Sequence, residues 1–450
     1  LAAIDGWLIA LLAIVAYGIV VAVLYRTGRI GPDRALSLFG PALMLKTQRG
    51  KQFLERVGRY RRFWTRVGDL GIILAATAMV VIVALLVLDA IIASTVPASA
   101  APSPQEALGL PGINPIIPLG YGIVALIVGV VLHELMHGIV ARSQKIGVKS
   151  LGVLWFVIPI GAFVEQNDVE MMAAPRRQRD RVAAAGVLAN FALTLVFFLL
   201  LASIVSTSVQ PNATGVGVVA VVSGYPADNA SLAPGDIITS LNGTPITSTT
   251  TLLQVLSHGR AGETMALTYY RASDGSSVST SVTLAPLSRY TGVASDSTKG
   301  FLGVSPAFLT PTELRGDLIW PASSPQGPLV GPIDWLVLPL AGLEPLQGTD
   351  QQFFHLSGPV ASLGVANGWV VLNLLYWLAW MNLLLGLSNA LPLYPLDGGL
   401  LFRDFTASIA ARVRRGWDEA RLERFGGRAA AVSSLAVLGL LIWQFVAPHL

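Results

Sequence analysis

In the stretch 130–141, Val-Val-Leu-His-Glu-Leu-Met-His-Gly-Ile-Val-Ala, two histidines and a glutamate interrupt an apolar run. His133 and His137 are four positions apart, so on a helix they share one face and can bind one metal ion. Imidazole nitrogens hold Zn²⁺ at about 2.0–2.1 Å, and His-Glu-x-x-His is the arrangement of zinc metalloproteases. Glu134, next to the first ligand, is placed to take a proton from a water acidified by the metal and return it to a leaving amine. Ionisable side chains are costly at membrane depth, and a bound cation gives these three a partner. A proton relay between packed helices is the alternative use of the same residues.

The elements that must position them follow from composition. The 450 residues are 53% hydrophobic and only 12% charged, which marks a multi-span membrane protein. There is no cysteine, so disulfides, thiolate metal sites and cysteine nucleophiles are excluded. Six stretches are long and apolar enough to cross a bilayer: 5–25, 70–93, 119–142, 182–207, 368–392 and 429–447. The chain starts at Leu1 rather than Met, which leaves room for a missing initiator or leader. Residues 5–25 are too long for the apolar core of a signal peptide and read as a span. Lys and Arg orient the spans. Eleven lie between the first two, seven from Arg142 to Arg181 and seven from Arg403 to Arg428, so these three loops are cytoplasmic. The segment 94–118 has none, and it, the long 208–357 region and both termini face out. The bases are placed for a lipid bilayer, and the net charge of +4 suggests no nucleic-acid partner.

A catalytic zinc takes three protein ligands and keeps a fourth position open. His258, His355 and His449 fall on the external side of this topology, whereas the His-Glu-x-x-His run sits toward the cytoplasmic end of its span, five residues before Arg142. Asp397, in Asn-Ala-Leu-Pro-Leu-Tyr-Pro-Leu-Asp-Gly-Gly (389–399), lies at the matching depth, just before Arg403. Pro395, Gly398 and Gly399 free the backbone there from regular helix, and a carboxylate so placed calls for a cation. A helix-terminal Asp at the membrane interface is the plainer reading.

Other segments have their own signals. Residues 148–165 are apolar, rich in Val, Ile, Trp and Phe, and broken by Gly152, Pro159 and Gly161, which predicts a β-hairpin dipping into the membrane from the cytoplasmic side. The basic stretch 26–66, with Phe53, Leu54, Phe63 and Trp64 among its arginines, predicts an interfacial helix meeting anionic lipid. Residues 330–346, with Trp335 and Pro339, suggest an interfacial helix on the outer side. Within 215–286 a valine-rich strand precedes Ala-Pro-Gly-Asp and Leu-Asn-Gly turns, a helical patch at 250–258 and two strand-like runs. That order resembles a PDZ domain, a module that captures extended peptides at a sheet edge.

With its two motifs and this insertion, the chain resembles the site-2 protease family of zinc intramembrane metalloproteases. The resemblance implies a polytopic α-helical membrane protein of about six transmembrane helices, with an inserted external PDZ-like α+β domain and a re-entrant β-hairpin. The expected division is a membrane core over 1–207, the PDZ-like domain over 215–286, an external extension over 287–357 and a second core segment over 358–450. It further implies that His133, His137 and Asp397 bind Zn²⁺, that Glu134 is the general acid/base and that the amide of Asn389 faces the scissile carbonyl. Asn190, in Ala-Ala-Gly-Val-Leu-Ala-Asn (184–190), matches the family's fourth-span motif, although Val187 stands where many relatives have Pro. Gly161, Ala162 and Phe163 occupy the place of the strand proposed to pair with unwound substrate. The implied substrates are single-pass transmembrane proteins already trimmed by another protease, and the implied location is the cell membrane. A PDZ-bearing membrane adaptor or chaperone with a non-catalytic zinc site is the rival, as is a membrane zinc peptidase acting on lipidated termini. A structural zinc site usually has four protein ligands, and no fourth candidate lies at this depth.

Overall fold

The computed structural model describes residues 6–450 except 32–33, 99–100, 102, 104, 107–108, 308, 321–330, 332–334, 337 and 339–345, and the side chains of 6–10 and 158–160. The expected outer helix at 330–346 lies largely outside the described residues. The chain divides into two compact units: residues 1–115, 122–195 and 380–450 form one, and 116–121 with 196–379 form the other.

The first unit is built from long apolar helices. Among the described residues five helices are long and apolar enough to cross a membrane: α3 (Arg61–Ala93), α4 (Leu119–Ser143), α6 (Arg176–Ser208), which follows the short helix α5 (Asp168–Ala173), and the helices Val365–Ala390 and Glu419–Val446. A further apolar helix, α1, covers Gly6–Arg26. In hydrocarbon, helices gain little from burying leucine and associate instead through small residues that let backbones approach. Gly68, Gly71, Ala75 and Ala78 of α3 are buried in this way, and a Cβ added at Gly71 would lie 3.3 Å from Ala184 O of α6. Gly426 of the last helix likewise rests on Arg403 O of the preceding helix, Asp397–Val413.

A four-stranded antiparallel sheet joins β1 (Leu36–Phe39), β2 (Ala42–Thr47), β3 (Val148–Phe156) and β4 (Ile158–Gln166) in that order. The two strands expected at 148–165 form, turning at Val157 with φ 63°. The reading of 26–66 as one interfacial helix needs correction. Its first half is the β1–β2 hairpin, turned at Gly40 (φ 55°), and the eight-residue helix α2 (Lys51–Gly58) follows. Strands of four and six residues are too short to declare a period, and β2 forms on the open edge of β3, pairing Leu43 with Trp155 and Leu45 with Val153. Gly152 makes this register possible, because a Cβ there would fall on Leu45 O and the Phe163 ring. β4 is left as the outer edge.

The second unit holds a sheet of order 277–283, 264–270, 237–241, 216–221, 304–306, with the helix Thr249–His258 packed on it. Val216, Val218, Ile238, Leu241, Leu252, Leu267 and Tyr269 fill its core. The Ala-Pro-Gly-Asp turn has a structural purpose: Gly235 takes φ 98°, and buried Asp236 accepts the N–H groups of Ala233 and Ala272, both at 2.9 Å. The domain also uses residues beyond Pro286. Val304–Pro306 pairs with 216–221, and Leu302 is part of the core, so a stretch read as irregular extension completes the sheet. Two- and three-residue strands leave no period in the sequence.

Candidate metal centre

Three segments of the first unit meet around one point. On α4 the buried side chains Ala125, Gly129, His133, His137 and Ala141 recur every four residues, so the two imidazoles continue a ridge of small residues onto which α6 can close. α6 passes the rings at Gly186, where a Cβ would coincide with His133 Cε1 and Nε2 and His137 Nε2. The third segment follows the Val365–Ala390 helix. The chain turns back over residues 391–396 and starts a new helix at Asp397, whose carboxylate occupies the favourable N-terminal end of the helix dipole. Gly398 is required by the turn, since a Cβ there would overlap Ala390 O and Leu391 O. Gly399 is held as closely, with its Cβ position 2.7 Å from Leu393 C and Tyr394 N.

The hydrogen bonds around the histidines fix which nitrogen of each neutral ring carries its proton. His137 Nδ1 lies 2.7 Å from Val182 O, a carbonyl that can only accept, so Nδ1 is protonated and Nε2 is bare. His133 Nδ1 lies 2.5 Å from Asn190 Oδ1. The Asn190 amide is oriented by its other end, where Nδ2 donates to Asn382 Oδ1 at 3.0 Å and toward Gly129 O at 3.4 Å. His133 Nε2 is therefore bare as well. The two Nε2 atoms are 3.1 Å apart, and each is 3.2 Å from Asp397 Oδ2, a buried oxygen that no hydrogen-bond donor reaches. Three potential donor atoms thus converge on one small space. Tetrahedral zinc with bonds of about 2.0–2.1 Å separates its ligand atoms by about 3.3–3.4 Å, close to the spacing found, so this donor set fits that ion. Among the described residues, His133, His137 and Asp397 are the one group that could hold a metal.

Glu134 points the other way round α4, toward the sheet. Its Oε2 accepts the N–H of Val164 at 3.0 Å, so β4 is tied to the glutamate beside the first ligand. α2 wedges the same place: fully buried Leu54 packs where a Cβ on Gly138 would meet Leu54 Cδ1 at 2.8 Å and Val164 Cγ1 at 2.9 Å.

The family model for peptidase family M50 matches residues 121–419, about two thirds of the chain. The chain belongs to peptidase family M50. Among curated relatives of this M50 member, an uncharacterised protein of Methanocaldococcus jannaschii is 34% identical over 46% of this chain and 53% of its own length. The zinc metalloprotease RasP of Shouchella clausii is 28% identical over 53% of this chain and 55% of its own. The metalloprotease MmpA of Caulobacter vibrioides is 24% identical over 71% and 92%. The chain thus spans about half the length of the first two relatives. A solved PDZ domain, that of the SdrC-like protein of Listeria monocytogenes, is 18% identical over 23% of this chain and 94% of that one, with a TM-score of 0.18.

The two amides read from sequence have different partners. Asn190 stands against a histidine, in contact with His133 Nδ1. Asn389 donates to Leu385 O at 3.0 Å, one turn back in its own helix, and makes no hydrogen bond to the three candidate ligands. Gly161, Ala162 and Phe163 lie on the edge strand β4, directly before Val164. Asn382 and the Val164 N–H were not singled out from sequence, and Leu54 was read only as an apolar residue of the interfacial stretch. Asn382 carried a usable signal, an amide seven residues before Asn389 in an apolar span, where a polar group needs a partner. Leu54 and a backbone N–H carried none.

Proposed function

We propose that this M50 member is a zinc-dependent intramembrane endopeptidase that hydrolyses peptide bonds within transmembrane segments of single-pass membrane proteins. The observation that carries this reading is the convergence of two bare Nε2 atoms and an unpartnered carboxylate oxygen within 3.2 Å of one another, beside a glutamate that is not one of them. His133, His137 and Asp397 would hold the metal, which supplies Lewis acidity that acidifies a water and polarises the scissile carbonyl. Glu134 accepts the water's proton and delivers it to the departing amine. The Val164 N–H holds Oε2 of Glu134 at 3.0 Å, which fixes the carboxylate beside β4.

The reading extends to substrate handling. Helical peptide bonds are shielded by their own hydrogen bonds, so a substrate must unwind before attack. Alternation along β4 puts the N–H and C=O of Ala162 on the same outer edge as the Val164 N–H, which offers an unwound segment a strand to pair with. The β3–β4 hairpin would enter the membrane from the cytoplasmic side, in a core of six spans with both termini outside. Asn389 would act on the scissile carbonyl only after leaving Leu385 O. The PDZ-like domain, external in this topology, would favour substrates whose ectodomains another protease has already removed.

The test is cleavage of a panel of transmembrane peptides by the purified chain in lipid, with and without a zinc chelator. Chelator-sensitive cutting inside the apolar segment is expected. Chelator-insensitive cutting, or none by a zinc-loaded and folded protein, would remove the proposal.

A further inference from the structure

Asn382 is fully buried in the middle of an apolar helix, flanked by Met381 and Leu383. Its Oδ1 accepts from Asn190 Nδ2 at 3.0 Å, and Asn190 Oδ1 in turn meets His133 Nδ1. Three helices thereby contribute one side chain each to a line that ends on a candidate ligand. The two helices that carry its ends come close because α4 has Gly129 at the crossing: a Cβ there would lie 2.6 Å from Leu385 Cδ1 and 3.1 Å from Asn382 Oδ1.

The chemical consequence lies in the orientation of one amide. Asn190 can present either its oxygen or its nitrogen to His133 Nδ1. With oxygen there, Nδ1 keeps its proton and Nε2 offers a lone pair to a metal. With the amide turned over, N–H faces Nδ1, the ring proton moves to Nε2, and the ring cannot ligate. Two acceptors hold the productive orientation. Gly129 O is 3.4 Å away, beyond ordinary N–H···O distances, whereas Asn382 Oδ1 is at 3.0 Å. The Gly129 carbonyl, which can only accept, sets the direction of the amide, and Asn382 Oδ1 supplies the shorter contact that holds it.

We infer that Asn382 is a positioning residue for the metal centre, acting through Asn190 to keep His133 in its ligating tautomer. This rests on the zinc-peptidase reading above, and its test reads metal binding rather than cleavage. The full-length chain in detergent is titrated with Zn²⁺ against a chromophoric chelator, for the unaltered protein, Asn382→Leu, Asn190→Ala and the double variant, with folding checked by circular dichroism. Partners one step outside a metal's ligands change affinity by about 10–100-fold, and Asn382, one step further out behind Asn190, should act at the lower end of that range, so Asn382→Leu should weaken zinc about tenfold. In the Asn190→Ala background the same substitution should change affinity by less than about twofold, because the residue it acts through is gone. The Co²⁺-loaded Asn382→Leu protein should show an altered visible spectrum, since one imidazole no longer ligates in the same way. Should Asn382→Leu not fold, Asn382→Ala carries the same cycle, removing the acceptor without added bulk. Unchanged affinity in the single variant, or the same tenfold loss in both backgrounds, would overturn the inference and leave Asn382 as packing. An unaltered chain that binds no zinc would overturn the metallopeptidase reading itself, and this inference with it.

Discussion

Gly186→Ala separates helix stability from metal binding in one substitution. Gly186 lies inside α6, where alanine is the better helix former by about 0.8–1 kcal/mol, so on local grounds the change should help. The new methyl group, however, would fall on His133 Cε1 and Nε2 and on His137 Nε2. Non-bonded carbon contacts settle at about 3.5–4.0 Å, so the rings or α6 must retreat by roughly 1 Å. Metal–ligand distances tolerate about 0.2 Å, several times less than that. The movement also disturbs the His137–Val182 and His133–Asn190 contacts that set the tautomers. Overpacking of this kind costs about 1–3 kcal/mol, and if all of it falls on the loaded state, zinc affinity drops about 5–150-fold. The assay is zinc stoichiometry and affinity of the purified variant beside far-ultraviolet circular dichroism. A helical Gly186→Ala protein that binds zinc as tightly as the unaltered chain would refute the placement of α6 against the rings.

The remaining expectations concern other parts of the site. Glu134→Gln should abolish cleavage and keep zinc, because Glu134 is not in the ligand group; loss of metal from a folded variant would mean its role is wrong. Asp397→Ala should lower zinc occupancy together with activity, measured by metal analysis, and full occupancy would exclude it as a ligand. Leu54→Ala removes the wedge between Gly138 and Val164; a loss of about 2–5 kcal/mol of stability is expected for such a truncation, with zinc retained and turnover reduced. Deletion of the PDZ-like domain should run from 215 to 307 rather than stop at 286, because Val304–Pro306 belongs to its sheet. Cleavage of a bare transmembrane peptide should survive that deletion while discrimination against large ectodomains weakens, read in a competition between full-length and trimmed substrate. Loss of bare-peptide cleavage in a folded, zinc-loaded deletion would sink the filter idea.

Sequence and structure agree most where a single strong rule governs. Long apolar runs announce helices, and four-residue spacing puts His133 and His137 on one face, because both depend on one segment alone. The third candidate ligand was legible from cost: a carboxylate at membrane depth, set among Pro395, Gly398 and Gly399, needs a cation. What stayed hidden depends on which segments meet. β1 and β2 form because β3 offers them an edge, and 304–306 forms because 216–221 does, and neither offer is written in the short strands themselves. The amides show the same limit. Asn190 and Asn389 both read as polar groups near a metal, yet only the helix crossings decide that one meets His133 and the other its own helix. Gly186 could be noticed as part of a motif, but its reason, two imidazoles lying where a side chain would go, exists only after α4 and α6 pack.

The separation of the ligands along the chain has a consequence for how such an enzyme is made. His137 and Asp397 are 260 positions apart, with the whole PDZ-like domain between them. A ribosome emitting this chain delivers the candidate ligands His133 and His137, with Glu134, 260 residues and more before Asp397. Until then the growing polypeptide holds only two of the three candidate ligands, however long the helix that carries them has been in the bilayer beside other proteins. Once Asp397 arrives, an ion held by all three side chains would, on the zinc-peptidase reading, cross-link the helix of His133 and His137 to the segment of Asp397. On the zinc-peptidase reading, synthesis order would thus act as a safety catch, arming the site only once Asp397 is in place.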